Sequence, residues 1–152
     1  MAETTRRGVL KGGLIAIAAA APAKAADDAA ANRPFVEHRL VLQISDRDPA
    51  KQALVLSVCS NVLKEIGADR VAIEVVAFGP GVDLLRADAA ERARVDSLIA
   101  QDVRFDICMN TVETIERDTG MKFPVNPAAH PVPAGVVRIL NLVEQGYTAI
   151  RP

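Results

Sequence analysis

The sequence predicts an α/β fold, a parallel sheet with helices on both faces, and two observations carry that prediction. Segments dense in Val, Ile and Leu alternate with segments whose apolar residues recur every three or four positions, in the order strand, helix, strand, helix, continued to a fifth strand. One strand segment, 71–78, is almost continuously apolar, as expected for a strand covered on both faces rather than one.

The elements follow in order. Residues 38–45 have the β-branched and apolar density of a strand, and Asp46-Arg47-Asp48-Pro49 makes a turn whose aspartates suit helix capping better than chemistry. Pro49 fits a first helical turn, and Ala53, Leu56, Cys59, Leu63 and Ile66 form the apolar stripe of a helix closed by Gly67. The strand over 71–78 stops sharply at Gly79-Pro80-Gly81. A second helix is expected over 83–101, with Leu85, Ala89, Val95, Leu98 and Ile99 facing the core, and a third strand over 104–109. A short helix over 110–119 ends at Gly120, after which four prolines allow only a short fourth strand. A last helix over 133–146 and a last strand over 147–150 complete the series.

The N-terminus has a different character. Thr5-Arg6-Arg7-Gly8-Val9-Leu10-Lys11 resembles the twin-arginine export signature, and the apolar run 12–21 behind it suits a signal peptide and is too short for a membrane anchor. Ala23-Lys24-Ala25 supplies a small-x-small cleavage pattern, with Ala21-Pro22-Ala23 as the alternative. The expected organisation is therefore a signal peptide over 1–25, a mobile linker over 26–37 and one domain over 38–152 in the periplasm.

Composition narrows the function classes. The 152-residue chain has a formal charge of −1; without Arg6, Arg7, Lys11, Lys24 and Glu3 it retains 14 basic and 18 acidic side chains. A mildly acidic domain with only 3% aromatic residues lacks the basic surface and stacking platforms of a nucleic-acid binder. Two cysteines without suitable His spacing do not suggest a structural zinc site, and no cofactor fingerprint is present.

In a parallel sheet, ligands gather outside the carboxyl ends of the strands. That rule selects Ser45 and Asp46 after the first strand, Gly79 and Gly81 after the second, Cys108, Asn110 and Thr111 after the third, and His130 near the fourth. Cys108, at a strand-to-helix junction, is placed for the helix dipole and free backbone donors to favour its thiolate. Cys59 lies in a helical apolar stripe and reads as core. A disulfide between the two is not expected, because nothing brings the stripe and the strand end together. His130 is a possible base for the thiol, whereas the glycines of Gly79-Pro80-Gly81 suit a turn better than a phosphate cradle.

Five segments together resemble the DsrE/DsrF-like family of small α/β proteins associated with sulfur transfer. They are 40–45, Val75-Val76-Ala77-Phe78-Gly79-Pro80-Gly81, Phe105-Asp106-Ile107-Cys108-Met109-Asn110-Thr111, Val132-Pro133-Ala134-Gly135-Val136, and 145–152 with its Gly146-Tyr147 pair. The resemblance implies a three-layer α/β/α sandwich with a five-stranded, mainly parallel sheet of flavodoxin- or Rossmann-like arrangement. It also implies homo-oligomers, often trimers or hexamers, and a persulfide passed through Cys108 between sulfur donors and acceptors, either proteins or small thiols.

Two function classes are therefore open. In one, a Cys108 thiolate takes sulfane sulfur and surrenders it, with Asn110, Thr111 and backbone donors stabilising the charge. In the other, Cys108 lines a pocket of a non-catalytic, oligomeric binding module of the periplasm. Thiol redox sensing requires a resolving cysteine, and Cys59 is poorly placed for that role.

Overall fold

A computed structural model describes residues 33–152; the expected signal peptide and the first part of the expected linker lie outside these residues. The elements are β1 (His38–Ile44), α1 (Pro49–Ile66), β2 (Val71–Ala77), a 3-10 helix (Gly79–Leu85), α2 (Arg92–Ile99), β3 (Arg104–Cys108), α3 (Met109–Thr119), β4 (His130–Val132), α4 (Gly135–Glu144) and β5 (Thr148–Ile150). All strand pairs are parallel, in the order β4-β3-β2-β1-β5.

This order determines where the helices lie. From β1 to β4 the chain steps across the sheet in one direction, so right-handed crossovers place α1, α2 and α3 on the same face. From β4 it must return across the whole sheet to β5, and a right-handed connection in that reverse direction puts α4 on the opposite face. The packing agrees. Val55, Leu56, Val95, Leu98 and Val112 from the first three helices join Leu42, Ile73, Val75, Phe105 and Ile107 in the larger core. On the other face, Leu142 and Ile139 of α4 join a smaller cluster with Val41, Ala72, Val76, Phe78, Tyr147 and Val36.

The expected fold class is thus present, with β2 buried along its full length as its apolar run indicated. Asp48 caps α1, accepting from the Ala50 amide at 2.9 Å, while Pro49 occupies its first turn. Beta4 is only three residues long and lies at the sheet edge, where Pro131 removes no needed ladder donor.

The expected helix over 83–101 is corrected. Arg86 is extended and bridges Val125, the Ala87 amide donates to the Pro124 carbonyl at 2.6 Å, and the Asn126 amide donates to Leu85 at 2.8 Å. Pairing with the 124–126 segment therefore interrupts the helix, and the apolar positions are divided between the 3-10 helix, where Leu85 is buried, and α2, which buries Val95 and Leu98.

Within the described part of the expected linker, the chain is tied to the domain. The Arg33 guanidinium donates to the Ala68 carbonyl, the Glu37 amide donates to Arg70 at 2.8 Å, and Val36 packs on the smaller core.

Phe105, fully buried at the centre of the larger core, and the Asp48 cap differ sharply in consequence. Phe105→Ala should cost about 3–5 kcal/mol and Asp48→Ala about 1 kcal/mol, as read by urea unfolding monitored by circular dichroism. Similar costs for the two would contradict this account of the core.

Candidate functional site

Neighbouring strands β3 and β4 send their following helices to opposite faces, α3 to one and α4 to the other. Such a switch point is where parallel sheets form their ligand crevices, and Cys108 stands at this one. The residue ends β3 and is the N-cap of α3; its register partner on β4 is Val132, from which the chain reaches the start of α4 at Gly135. Two helix N-termini, each carrying free amides and partial positive charge, therefore converge on one sulfur.

The approach of α4 depends on a glycine. A Cβ at Gly135 would lie 3.0 Å from Cβ of Phe78, 3.3 Å from Cγ1 of Val76 and 3.4 Å from Cβ of Cys108. Without that carbon, the first turn of α4 can rest against the strand and bring the Gly135 amide to the sulfur. Thr111 completes the set. Its hydroxyl oxygen accepts from the Gly79 amide at 3.0 Å, which leaves the hydroxyl proton available to the thiol.

These donors decide the state of the thiol. Burial of Cys108, whose residual exposure is 5%, pushes the pKa up; the Thr111 hydroxyl and the Gly135, Thr111 and Asn110 amides pull it down, and the net result is below the ordinary thiol value. The Cys108 side chain makes no conventional capping hydrogen bond at the start of α3. Cys59 is the internal contrast. It is a residue of α1 that faces the larger core, and burial pushes its thiol up to about 12. The two cysteines are free and belong to opposite faces of the sheet.

The other residues selected from the sequence divide into three groups. Asn110 has an exposed side chain, and its contribution is its amide, which also donates to the Pro133 carbonyl at 3.2 Å. Gly79 acts through Thr111. Ser45, Asp46 and Gly81 do not join the thiol. They lie at the end of β1, two strands from β3, where Gly81 packs so tightly that an added Cβ would fall 2.3 Å from the Ile44 carbonyl oxygen. Asp46 is engaged by Lys51 and Arg151, each at 3.1 Å, which hold its carboxyl below the usual range.

His130 is exposed and registers with Asp106 rather than Cys108, about 6–7 Å farther back along the strand, so it does not serve the sulfur as a base. Gly135 was missed as a site residue. Its signal was a glycine in the first turn of an apolar helix, where propensity alone favours other residues.

Surface grooves are open. One, about 380 Å³, runs toward the C-terminal end of α3 beside Glu113, Glu116 and Lys122, away from the thiol. A smaller groove of about 250 Å³ lies between β4 and α4, lined by Pro131, Val132, Pro133, Val137, Arg138 and Asn141.

Fold and site together define, over the described residues, a class of α/β domain with a thiol at the switch point of a five-stranded parallel sheet. No protein-family model matches the chain, and no curated protein matches it. Among solved structures it is similar to a protein of unknown function, MTH1491 from Methanobacterium thermoautotrophicum, with 32% identity and a TM-score of 0.68 over 76% of this chain and 100% of that one. The chain belongs to the family of that protein.

The contrast between the cysteines gives a pH signature. The fold favours the charged form of Cys108, so its contribution to stability is present above the unfolded thiol pKa and fades as pH falls through the lowered folded value. For Cys59 the fold favours the neutral form, so stability is lost as pH rises above the unfolded thiol value toward about 12. Iodoacetamide labelling read by peptide mass should therefore modify Cys108 in the native protein with a midpoint below that of the unfolded chain, and Cys59 only after unfolding. Thr111→Val should move the Cys108 midpoint up; an unmoved midpoint would remove the hydroxyl from the account.

Proposed function

We propose that the chain is a DsrE/DsrF-like persulfide carrier, sulfurtransferase-like in its chemistry, acting through Cys108. The observation that carries the reading is the donor cluster: one hydroxyl and three amides directed at a sulfur whose thiolate they favour. The same donors suit the persulfide anion that the reaction produces.

The step balances without an external oxidant. The Cys108 thiolate attacks the sulfane sulfur of a donor such as thiosulfate; a bond forms from Sγ to that sulfur, and the donor's sulfur–sulfur bond breaks. The electron pair leaves with sulfite, and Cys108 holds the outer sulfur as a persulfide anion. An acceptor thiolate then takes the outer sulfur and restores the Cys108 thiolate. The nucleophile is the thiolate that the hydroxyl and amide donors favour, so the step draws on these donors rather than on a side-chain base.

The segment 5–25 supports export by the twin-arginine pathway and a periplasmic site of action. Assembly into a homo-oligomer is supported by α4, which leaves Val136, Val137, Leu140 and Val143 about half exposed along one face. Leu140→Glu should reduce the mass measured by sedimentation; an unchanged mass would remove that face from the assembly.

The limited exposure of the sulfur favours one alternative, a non-catalytic binding module in which Cys108 lines a pocket; the 250 Å³ groove between β4 and α4 reaches Val132, the register partner of Cys108. Intact-mass analysis after incubation with thiosulfate or polysulfide separates the two. The carrier gains one sulfur that is released by cyanide and is absent from Cys108→Ser. No adduct on the wild-type protein sinks the carrier reading and leaves the binding module.

A further inference from the structure

Beneath α4, on the face that carries Cys108, the sheet holds two carboxylates with no solvent exposure, Glu74 on β2 and Asp106 on β3. Arg138 of α4 reaches both, with Nη2 2.9 and 2.7 Å from the two Glu74 oxygens and Nε 3.1 Å from Asp106 Oδ2. Arg104 completes the group, its Nε donating to Asp106 Oδ1 at 2.7 Å, so two cations balance two anions. We propose that Arg138 is a positioning residue for the thiol: clamped to Glu74 and Asp106, it fixes the first turn of α4 and holds the Gly135 amide against Cys108.

Two geometric facts support this role. Asp106 precedes Cys108 by two positions on one strand, and Gly135 precedes Arg138 by three on one helix, so clamp and sulfur share a sheet face and a single helical turn connects them. Apolar packing alone defines the helix poorly. Leu142 and Ile139 are its contributions to the smaller core, while Val136, Val137, Leu140 and Val143 face outward. Hydrophobic contact is non-directional, whereas a guanidinium fork on two fixed carboxylates sets both rotation and height.

The consequence for sulfur transfer rests on the carrier reading, but the positioning itself is tested without it. The double variant Glu74→Gln, Arg138→Met removes one charge of each sign and leaves the Arg104–Asp106 pair intact. It should unfold cooperatively, and the pH midpoint of Cys108 alkylation should rise, slowing labelling below the midpoint about three- to tenfold. Arg138→Lys, which keeps the charge and loses the fork, should fall between the double variant and wild type. Asn126→Ala, at a buried anchor elsewhere, should leave the midpoint in place.

A folded double variant with the wild-type midpoint overturns the proposal, as does an equal rise in Asn126→Ala. Should the double variant fail to fold, Arg138→Lys decides alone, and an unmoved midpoint there overturns it. The two readings fail separately: wild type that takes no sulfur from thiosulfate ends the carrier role, and a displaced alkylation midpoint in the double variant upholds the clamp regardless.

Discussion

The handedness of the return from β4 to β5 is the constraint on which the rest of the structure depends. Three successive crossovers in one direction stack α1, α2 and α3 on one face, and the long return leaves α4 to cover the other. Three features follow from this arrangement. The loops after β3 and β4 diverge, as they do where parallel sheets form their ligand crevices. The helix that starts on the far side of this switch point is free to place its first amide at the end of β3. One helix on one face also leaves its outer apolar residues uncovered, which links the thiol site to whatever surface covers α4.

Within that frame, the chemistry of Cys108 is a competition between burial and donors. Removing the sulfur from water raises its pKa, as Cys59 shows in the larger core, where burial outweighs a backbone hydrogen bond that acts the other way. Around Cys108 the same penalty is outweighed by the Thr111 hydroxyl and by amides from two helix starts. These donors are neutral and held by the backbone or by a backbone-bound hydroxyl, so little reorganisation is needed when the sulfur becomes charged. The site thus favours an anion on sulfur through neutral donors, with no lysine, arginine or histidine of the described residues among the causes.

Much of this was legible in the sequence, for identifiable reasons. Strands β1, β2 and β3 and helix α1 declare themselves because strong apolar patterns coincide with capping and turn residues such as Asp48, Pro49 and Gly79. Cys108 is legible because its place at a strand end follows from the segment order. Helix α2 was extended too far because the pairing of Arg86 with Val125 is a long-range contact that local periodicity cannot encode. Ser45, Asp46, Gly81 and His130 were grouped with the thiol because the carboxyl-edge rule gives a side of the sheet and not a position along it. Glu74 and Asp106 stand within strand segments, but their shared cation lies 64 and 32 residues away, respectively, on α4.

This fold moves its two thiols in opposite directions. The most direct measurement is a pH titration of both cysteine Cβ chemical shifts in the native and the urea-unfolded chain, using cysteine labelled with carbon-13. The account predicts that Cys108 titrates below its unfolded value and Cys59 far above its own. A Cys108 that titrates at or above its unfolded value would contradict it, because the converging donors would then not outweigh burial.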